Sequence, residues 1–485
     1  MEMSNEQIHD IASAAWNGYQ YLQKLTVRER ADLMYAIAEE IEALDEELIN
    51  AAHRETALPL ARLQGEKGRT VHQWRSYADA LRTGVYADVR IDTGDGAAKS
   101  DIRKYNKGLG PVAVFGASNF PFAFSTAGGD TASAIAAGCS VVYKEHPAHP
   151  ETSRIMEHAI KRGVAKFGAP DTVFDCVKGS SNSVGETLVL NPLIKAVAFT
   201  GSFRGGKALF DLGASRSEPV PVFAEMGSVN PILALPDYLN QHGETLAAQY
   251  VASLTLGVGQ FCTNPGLFIA VKGSALTLLK EGLKKAISEI GESSMLHAGI
   301  CKAFQENKTI LSKQPDVELL GKGVNTQEDK AGAAIYLTSG AAFLANQHLR
   351  EEVFGPVGLV VECSDTDEVY AVLASVPGQL TITFAATVVD IQQNSSLLTL
   401  AQEKCGRLLF GGMPTGVEVV YAMQHGGPFP ATTDSRFTSV GPDAVKRFLR
   451  PVSFQNWPNQ LLPQELQDDN PLKIARIVNT VYTPE

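Results

Sequence analysis

Gly110-Pro-Val-Ala-Val-Phe-Gly-Ala-Ser-Asn-Phe-Pro121 runs from a short apolar strand, 112–115, into a glycine-opened turn. The residues that follow repeat the pattern. Positions 130–137 read as a small-residue helix and Ser140-Val-Val-Tyr-Lys144 as the next strand. A helix over 150–167, strand Val173-Phe-Asp-Cys-Val177, a helix near 184–190 and strand Ala196-Val-Ala-Phe199 come next. Continuous apolar strands alternating with helices predict a parallel α/β sheet covered on both faces. The alternation resumes with strand Val222-Phe-Ala224, a helix over 243–256, strand Phe268-Ile-Ala-Val271 and a helix over 275–290. A second α/β domain is therefore expected.

Upstream, Ile8, Ile11, Ala12, Ala15, Trp16 and Tyr19 recur at helical spacing. Thr26 with Glu29 forms a capping-box pattern that opens a helix with Leu33, Ile37, Ile41 and Leu44 on one face. Another helix covers 59–81, and its Arg62, Glu66, Arg69 and Arg75 read as a solvated or subunit-facing surface. Residues 86–108, with the turn Thr93-Gly-Asp-Gly96, read as a hairpin-like excursion. The tail returns to strand-like sequence at Arg447-Phe-Leu-Arg-Pro-Val-Ser-Phe454.

A chain of 485 residues exceeds one ordinary core, so two or three domains are expected. With 44% hydrophobic and 20% charged residues it reads as a soluble globular protein. A net charge of −11 argues against nucleic-acid binding. No apolar run reaches the roughly 18 residues of a membrane span, and the polar start Met1-Glu-Met-Ser-Asn-Glu-Gln is not a signal peptide. Six cysteines without a CxxC pair predict neither a disulfide framework nor a metal site, and suit a reducing cytoplasm.

Chemistry concentrates in a few turns. Gly257-Val-Gly-Gln-Phe-Cys-Thr-Asn-Pro-Gly266 places Cys262 on a tight bend, as a buried free thiol or a presented nucleophile. Asn119 is either a turn residue or an oxyanion donor. Phe199-Thr-Gly-Ser-Phe-Arg-Gly-Gly206 opens a helix and offers N–H groups to a phosphate, or is a plain strand–helix turn. Glu225 ends a buried strand, where an apolar setting would raise its pKa toward that of a general base; the alternative is a surface or lysine-paired acid.

Together these segments resemble the aldehyde dehydrogenase superfamily, from about residue 8 to the C-terminus. The resemblance rests on Asn119-Phe-Pro, Phe199-Thr-Gly-Ser202, Glu225-Met-Gly227, Gln260-Phe-Cys262 and Glu352-Val-Phe-Gly-Pro356, in that order. The blocks Ala127-Gly-Gly-Asp-Thr-Ala-Ser133, Lys144-Glu-His-Pro-Ala-His-Pro150 and His425-Gly-Gly-Pro-Phe-Pro-Ala431 are similar to the α-ketoglutaric semialdehyde (2,5-dioxopentanoate) dehydrogenase branch, which includes NADP-linked fatty aldehyde dehydrogenases.

The resemblance implies two Rossmann-like parallel-sheet domains and a small β element. Residues 1–85 and 109–224 would bind the cofactor, 225–430 would form the catalytic domain, and 86–108 with 445–485 would bridge subunits of a homodimer or homotetramer. It implies that Cys262 attacks the aldehyde, that Asn119 holds the oxyanion and that Glu225 activates water for thioester hydrolysis. Thr200, Gly201, Ser202 and Gly206 would face the pyrophosphate, Glu352 the nicotinamide ribose, Phe354 the ring and Lys144 the adenosine ribose. NAD-preferring members carry a glutamate where this chain has Pro147, so NADP is the expected cofactor, with NAD possible. For the far carboxylate of a semialdehyde, Arg436 is the candidate; an ion pair with Asp434 is the alternative. Relatives usually carry a strand-rich segment ahead of the first helix, in which this chain almost begins. Rival readings are a cysteine hydrolase, which would pair its thiol with a histidine absent from the Cys262 loop, and a non-catalytic structural relative.

Overall fold

The computed structural model describes residues 2–96, 98–324, 326–327 and 330–484; Met1, Ala97, Asn325, Glu328, Asp329 and Glu485, all inside expected segments, lie outside the described residues. Five strands, Val112–Phe115, Val141–Lys144, Phe174–Val177, Ala196–Thr200 and Val222–Glu225, form an all-parallel sheet. Their order in space is third, second, first, fourth, fifth. The first and fourth strands are neighbours, so the connection reverses direction between them. Ligands of open α/β sheets collect at that switch point. Asn119 and the Thr200-Gly201-Ser202 turn emerge there, and Glu225 pairs with Thr200 on the next strand.

A seven-stranded sheet forms a second layer around Ile232–Ala234, Leu267–Val271, Val357–Cys363 and Gln379–Ala385. Its strands pair in parallel except at the edge, where Glu318–Lys322 runs antiparallel to Ala334–Ser339. The excursion is a hairpin of Val89–Asp92 with Ile102–Gly108, and Leu449–Gln455 adds antiparallel to it. Arg476–Val478 and Val481–Thr483 complete this third sheet. Among the described residues no helix is long and apolar enough to cross a membrane.

The helix signals hold where caps are explicit. Thr26 Oγ1 accepts from Glu29 N at 3.2 Å and the Glu29 carboxylate accepts from Thr26 N at 2.8 Å, closing the box that starts Val27–Glu42. The helix expected over 243–256 is Pro236–Thr255, because Pro236 occupies its first turn and Leu239 already packs inside. Glu46–Thr56 is an additional helix, capped by Asp45 accepting from Glu47 N at 2.9 Å.

Helix Leu60–Arg82 is not the solvated face that its charges suggest. Only Arg75 meets that expectation, pairing at the surface with Glu42. Glu66 is buried, and its Oε1 accepts from Phe122 N and Ala123 N at 2.8 and 3.0 Å. Arg62 and Arg69 turn inward over phenylalanine rings. Helical spacing assigns residues to a stripe but does not say whether that stripe is wet, and this one faces the switch point.

Candidate active site

Helix Pro236–Thr255 leads into Leu256–Gly259, where Gly257 (φ 56°) and the β-branched Val258 (φ 61°) both adopt left-handed backbone. For Val258 that costs about 1–2 kcal/mol, which surrounding contacts must offset. Gly259 (φ 66°) is required by contact as well: a Cβ there would lie 2.3 Å from the Gly355 carbonyl carbon. The Cys262 loop is thereby pressed onto Gly355-Pro356.

A buried amide framework fixes that loop. Asn230 Nδ2 donates to the carbonyls of Cys262 and Asn264, both at 2.9 Å. Gln379 Oε1 in turn accepts from Val229 N at 2.8 Å and Asn230 N at 2.9 Å. Asn264 Nδ2 donates to Gly355 O at 3.1 Å. Cys262 follows on a turn and is the one partly exposed cysteine; the other five are buried.

His425, which follows the 405–410 strand by a long connection, reaches the thiol from across the site. Its Nε2 lies 3.4 Å from Cys262 Sγ and 2.8 Å from Glu225 Oε1, the latter a charge contact rather than an aligned hydrogen bond. Ser439 Oγ donates to Glu225 Oε2 at 2.5 Å. The Cys262 sulfur, a His425 ring nitrogen and a Glu225 carboxylate oxygen all fall within 4.8 Å of one another. Asn119 Nδ2 donates to Gln260 O at 3.1 Å, which brings its amide to the same loop. The Cys262 loop itself carries no histidine, as its sequence shows, and the fold brings one to the thiol from position 425.

The expectation of a raised Glu225 pKa is also overturned. Burial pushes it up, but the charge of His425 and hydrogen bonds from Ser439 and Cys262 together outweigh burial and hold it below the ordinary carboxylate value. Glu225 therefore rests as a carboxylate, ready to accept a proton. Cys262 shifts the other way: burial first, then the Glu225 charge, push the thiol well above its usual value. Its resting form is the neutral thiol. Alkylation of Cys262 by iodoacetamide should accordingly accelerate close to tenfold per pH unit from pH 6 to 9, followed by mass spectrometry. A plateau below pH 8 would instead mean a preformed thiolate–imidazolium pair.

The residues expected at the cofactor occupy the strand ends as follows. Ser202 caps helix Phe203–Ser215 by accepting from Gly205 N at 3.2 Å, while Gly201 N donates to Glu225 O at 3.0 Å. Gly206 lets that helix rest on Met226. Lys144 Nζ donates to Glu145 O and Gly179 O at 2.9 and 2.6 Å, and Pro147 is exposed. Glu352 comes so near Gly227 that a Cβ there would meet its Oε2 at 2.3 Å. Burial pushes the Glu352 carboxyl up to about 8. Glu352 and Phe354 line a cleft with Ser228, Gly259 and Asn264. Arg436 does not follow the expectation: its side chain is 77% exposed and forks onto Asp434 at 2.8 and 2.5 Å, the alternative stated from sequence.

The family model described as "Aldehyde dehydrogenase family" matches residues 1–408. The chain belongs to the aldehyde dehydrogenase family. It is an oxidoreductase of that class, oxidising an aldehyde with NAD(P). It is similar to Alpha-ketoglutaric semialdehyde dehydrogenase 2 of Azospirillum brasilense, 47% identical over 477 residues, 97% of this chain and 90% of that protein. It is also similar to Alpha-ketoglutaric semialdehyde dehydrogenase of Acinetobacter baylyi, 45% identical over 488 residues, 99% of this chain and 92% of that protein. Its fold is similar to that of part of proline utilization A from Bdellovibrio bacteriovorus, with a TM-score of 0.79 at 20% identity over 94% of this chain and 46% of that longer protein.

Sequence reading of this aldehyde dehydrogenase left out His425, Ser439, Asn230 and Gln379 as site residues. His425 stood inside a quoted motif, but nothing in its neighbours showed that the chain would return to Cys262. Asn230 carried a signal in the run Gly227-Ser-Val-Asn-Pro231, since an asparagine tolerates the left-handed backbone it adopts here (φ 47°).

Proposed function

We propose that this aldehyde dehydrogenase oxidises α-ketoglutaric semialdehyde to 2-oxoglutarate, with Cys262 as nucleophile, Asn119 as oxyanion donor, Glu225 as base and NADP preferred. The observation that carries the chemistry is the Cys262–His425–Glu225 cluster, with the Asn119 amide held at Gln260 on the same loop. The printed names of the relatives from Azospirillum brasilense and Acinetobacter baylyi support the substrate.

In this reading the Cys262 proton leaves to solvent, which reaches this partly exposed thiol, as sulfur attacks the aldehyde carbon. The Asn119 Nδ2 donor stabilises the oxyanion of the thiohemiacetal. When bound, NAD(P) would supply the hydride acceptor needed to oxidise this adduct to a thioester. Glu225 then takes a proton from water, whose oxygen attacks the thioester carbonyl; the carboxylate leaves and the thiol is restored. Thr200, Gly201, Ser202 and Gly206 would meet the pyrophosphate at the helix N-terminus, and Glu352 and Phe354 would meet the nicotinamide ribose and ring.

The fit to a 2′-phosphate has its own support. The Glu2 carboxylate accepts from Ser180 N, Ser181 N and both hydroxyls at 2.7–3.1 Å, beside the Lys144–Gly179 contact. An anion already sits in this nest, and Pro147 adds no opposing charge. Glu2→Gln should therefore lower KM for NADP several-fold and change KM for NAD less. The reverse order would remove this nest from the cofactor site.

The same reading assigns cofactor binding to 1–85 and 109–224, catalysis to 225–430, and bridging to 86–108 and 445–485 in a cytoplasmic homodimer or homotetramer. It is tested by initial rates on α-ketoglutaric semialdehyde and on a long-chain aldehyde, each with NADP and with NAD. The semialdehyde with NADP should be fastest; a fatty aldehyde in that place would move the protein to the other members of its branch.

A further inference from the structure

Helix Leu60–Arg82 turns Arg62, Glu66 and Arg69 toward the site. Positions 62 and 69 are two helical turns apart, about 10 Å along one stripe. The Arg62 guanidinium lies over the Phe120 and Phe261 rings at 4.9 Å each, and that of Arg69 over Phe124 at 5.0 Å. These rings wall the nucleophile: Phe261 precedes Cys262, Phe120 packs edge-on against both Phe261 and Phe124, and Phe124 lies 6.2 Å from the His425 ring.

Each guanidinium is tied at one nitrogen. Arg62 Nη2 donates to Asn119 O at 2.6 Å, and Arg69 Nη2 makes a long contact of 3.4 Å to Val417 O. The other terminal nitrogen, Nη1 in both, is buried without a hydrogen-bond partner. Glu66, whose charge both arginines feel, directs Oε1 to the Phe122 and Ala123 N–H groups instead. Buried donors left unmet are costly, and the planar fork of arginine matches a carboxylate. The charge of Arg69 is also felt at Cys262 and Glu225.

We infer that the unpartnered Nη1 edges of Arg69 and Arg62, Arg69 foremost, receive the far carboxylate of an ω-carboxy aldehyde whose carbonyl lies at Cys262. This rests on the proposed function for the substrate class and names the residues that select it, in the place first expected of Arg436. A long alkyl chain against the same phenylalanine wall would leave both edges unmet. A short semialdehyde keeps its anionic end beside them.

The test compares kcat/KM of wild type, Arg69→Met and Arg69→Lys on α-ketoglutaric semialdehyde, succinic semialdehyde and pentanal. For Arg69→Met the acid-to-pentanal ratio should fall roughly 10- to 100-fold, mostly through KM. Arg69→Lys should recover part of it. Arg62→Met should lower the same ratio, with thermal melting as its control because Arg62 also holds Asn119. An unchanged ratio in a wild type that still prefers the semialdehyde would overturn the inference and leave the proposed function standing. Equal losses on all three aldehydes would mean a structural role and overturn it too. A wild type inactive on α-ketoglutaric semialdehyde, but losing succinic semialdehyde selectivity in Arg69→Met, would defeat the substrate reading alone. Preference of the wild type for pentanal would defeat both.

Discussion

Cys262→Ala should lower kcat/KM by about 10⁴-fold or more, since it removes the one partly exposed thiol that can form the covalent adduct. The five remaining cysteines are buried, so none is placed to substitute. The change should leave the loop intact, because its backbone is fixed by Asn230 and Asn264 rather than by sulfur. Reduced-nicotinamide absorbance reads the loss, and an unshifted melting temperature separates it from unfolding. A residual rate above about one percent of wild type would exceed that expectation and point to a non-covalent route.

Glu225→Gln should separate the two halves of the reaction. Glutamine keeps the shape of the side chain and can still accept the Ser439 hydrogen bond, but it cannot take a proton from water. The thiol is partly exposed and can lose its proton to solvent without Glu225, so acylation should continue. Rapid mixing should then give a burst of one reduced nicotinamide per Cys262, followed by a steady rate lower by about 10²- to 10³-fold. Loss of the burst itself would assign Glu225 to deprotonating the thiol instead. The structure makes the distinction meaningful because Glu225 neighbours both His425 and the nucleophile.

The sheet that positions these groups was legible because parallel strands covered on both faces are continuous apolar runs. Val112–Phe115, Val141–Lys144 and Ala196–Thr200 all read that way, and their alternation with helices leaves little topological choice. Cys262 was legible from its glycines and turn residues. What stayed hidden depended on partners distant in sequence. The lowered Glu225 pKa comes from His425, two hundred positions later, acting with Ser439 and Cys262, which together outweigh the burial that local sequence predicts. The inward face of Leu60–Arg82 is fixed by Phe120, Phe124 and Phe261, none of which its own periodicity can reveal. Arg436 failed for the opposite reason: Asp434, two residues away, captures it locally. Two helix signals were present and unread, Asp45 ahead of Leu48-Ile49 and Pro236 at the start of Pro236–Thr255.

The most direct test of the account is mass spectrometry of Glu225→Gln quenched after mixing with α-ketoglutaric semialdehyde and NADP. The account predicts one acyl group per chain, mapped to the peptide that carries Cys262 and released by hydroxylamine as a thioester must be. Cofactor reduction with no adduct, or an adduct on any other residue, would contradict it.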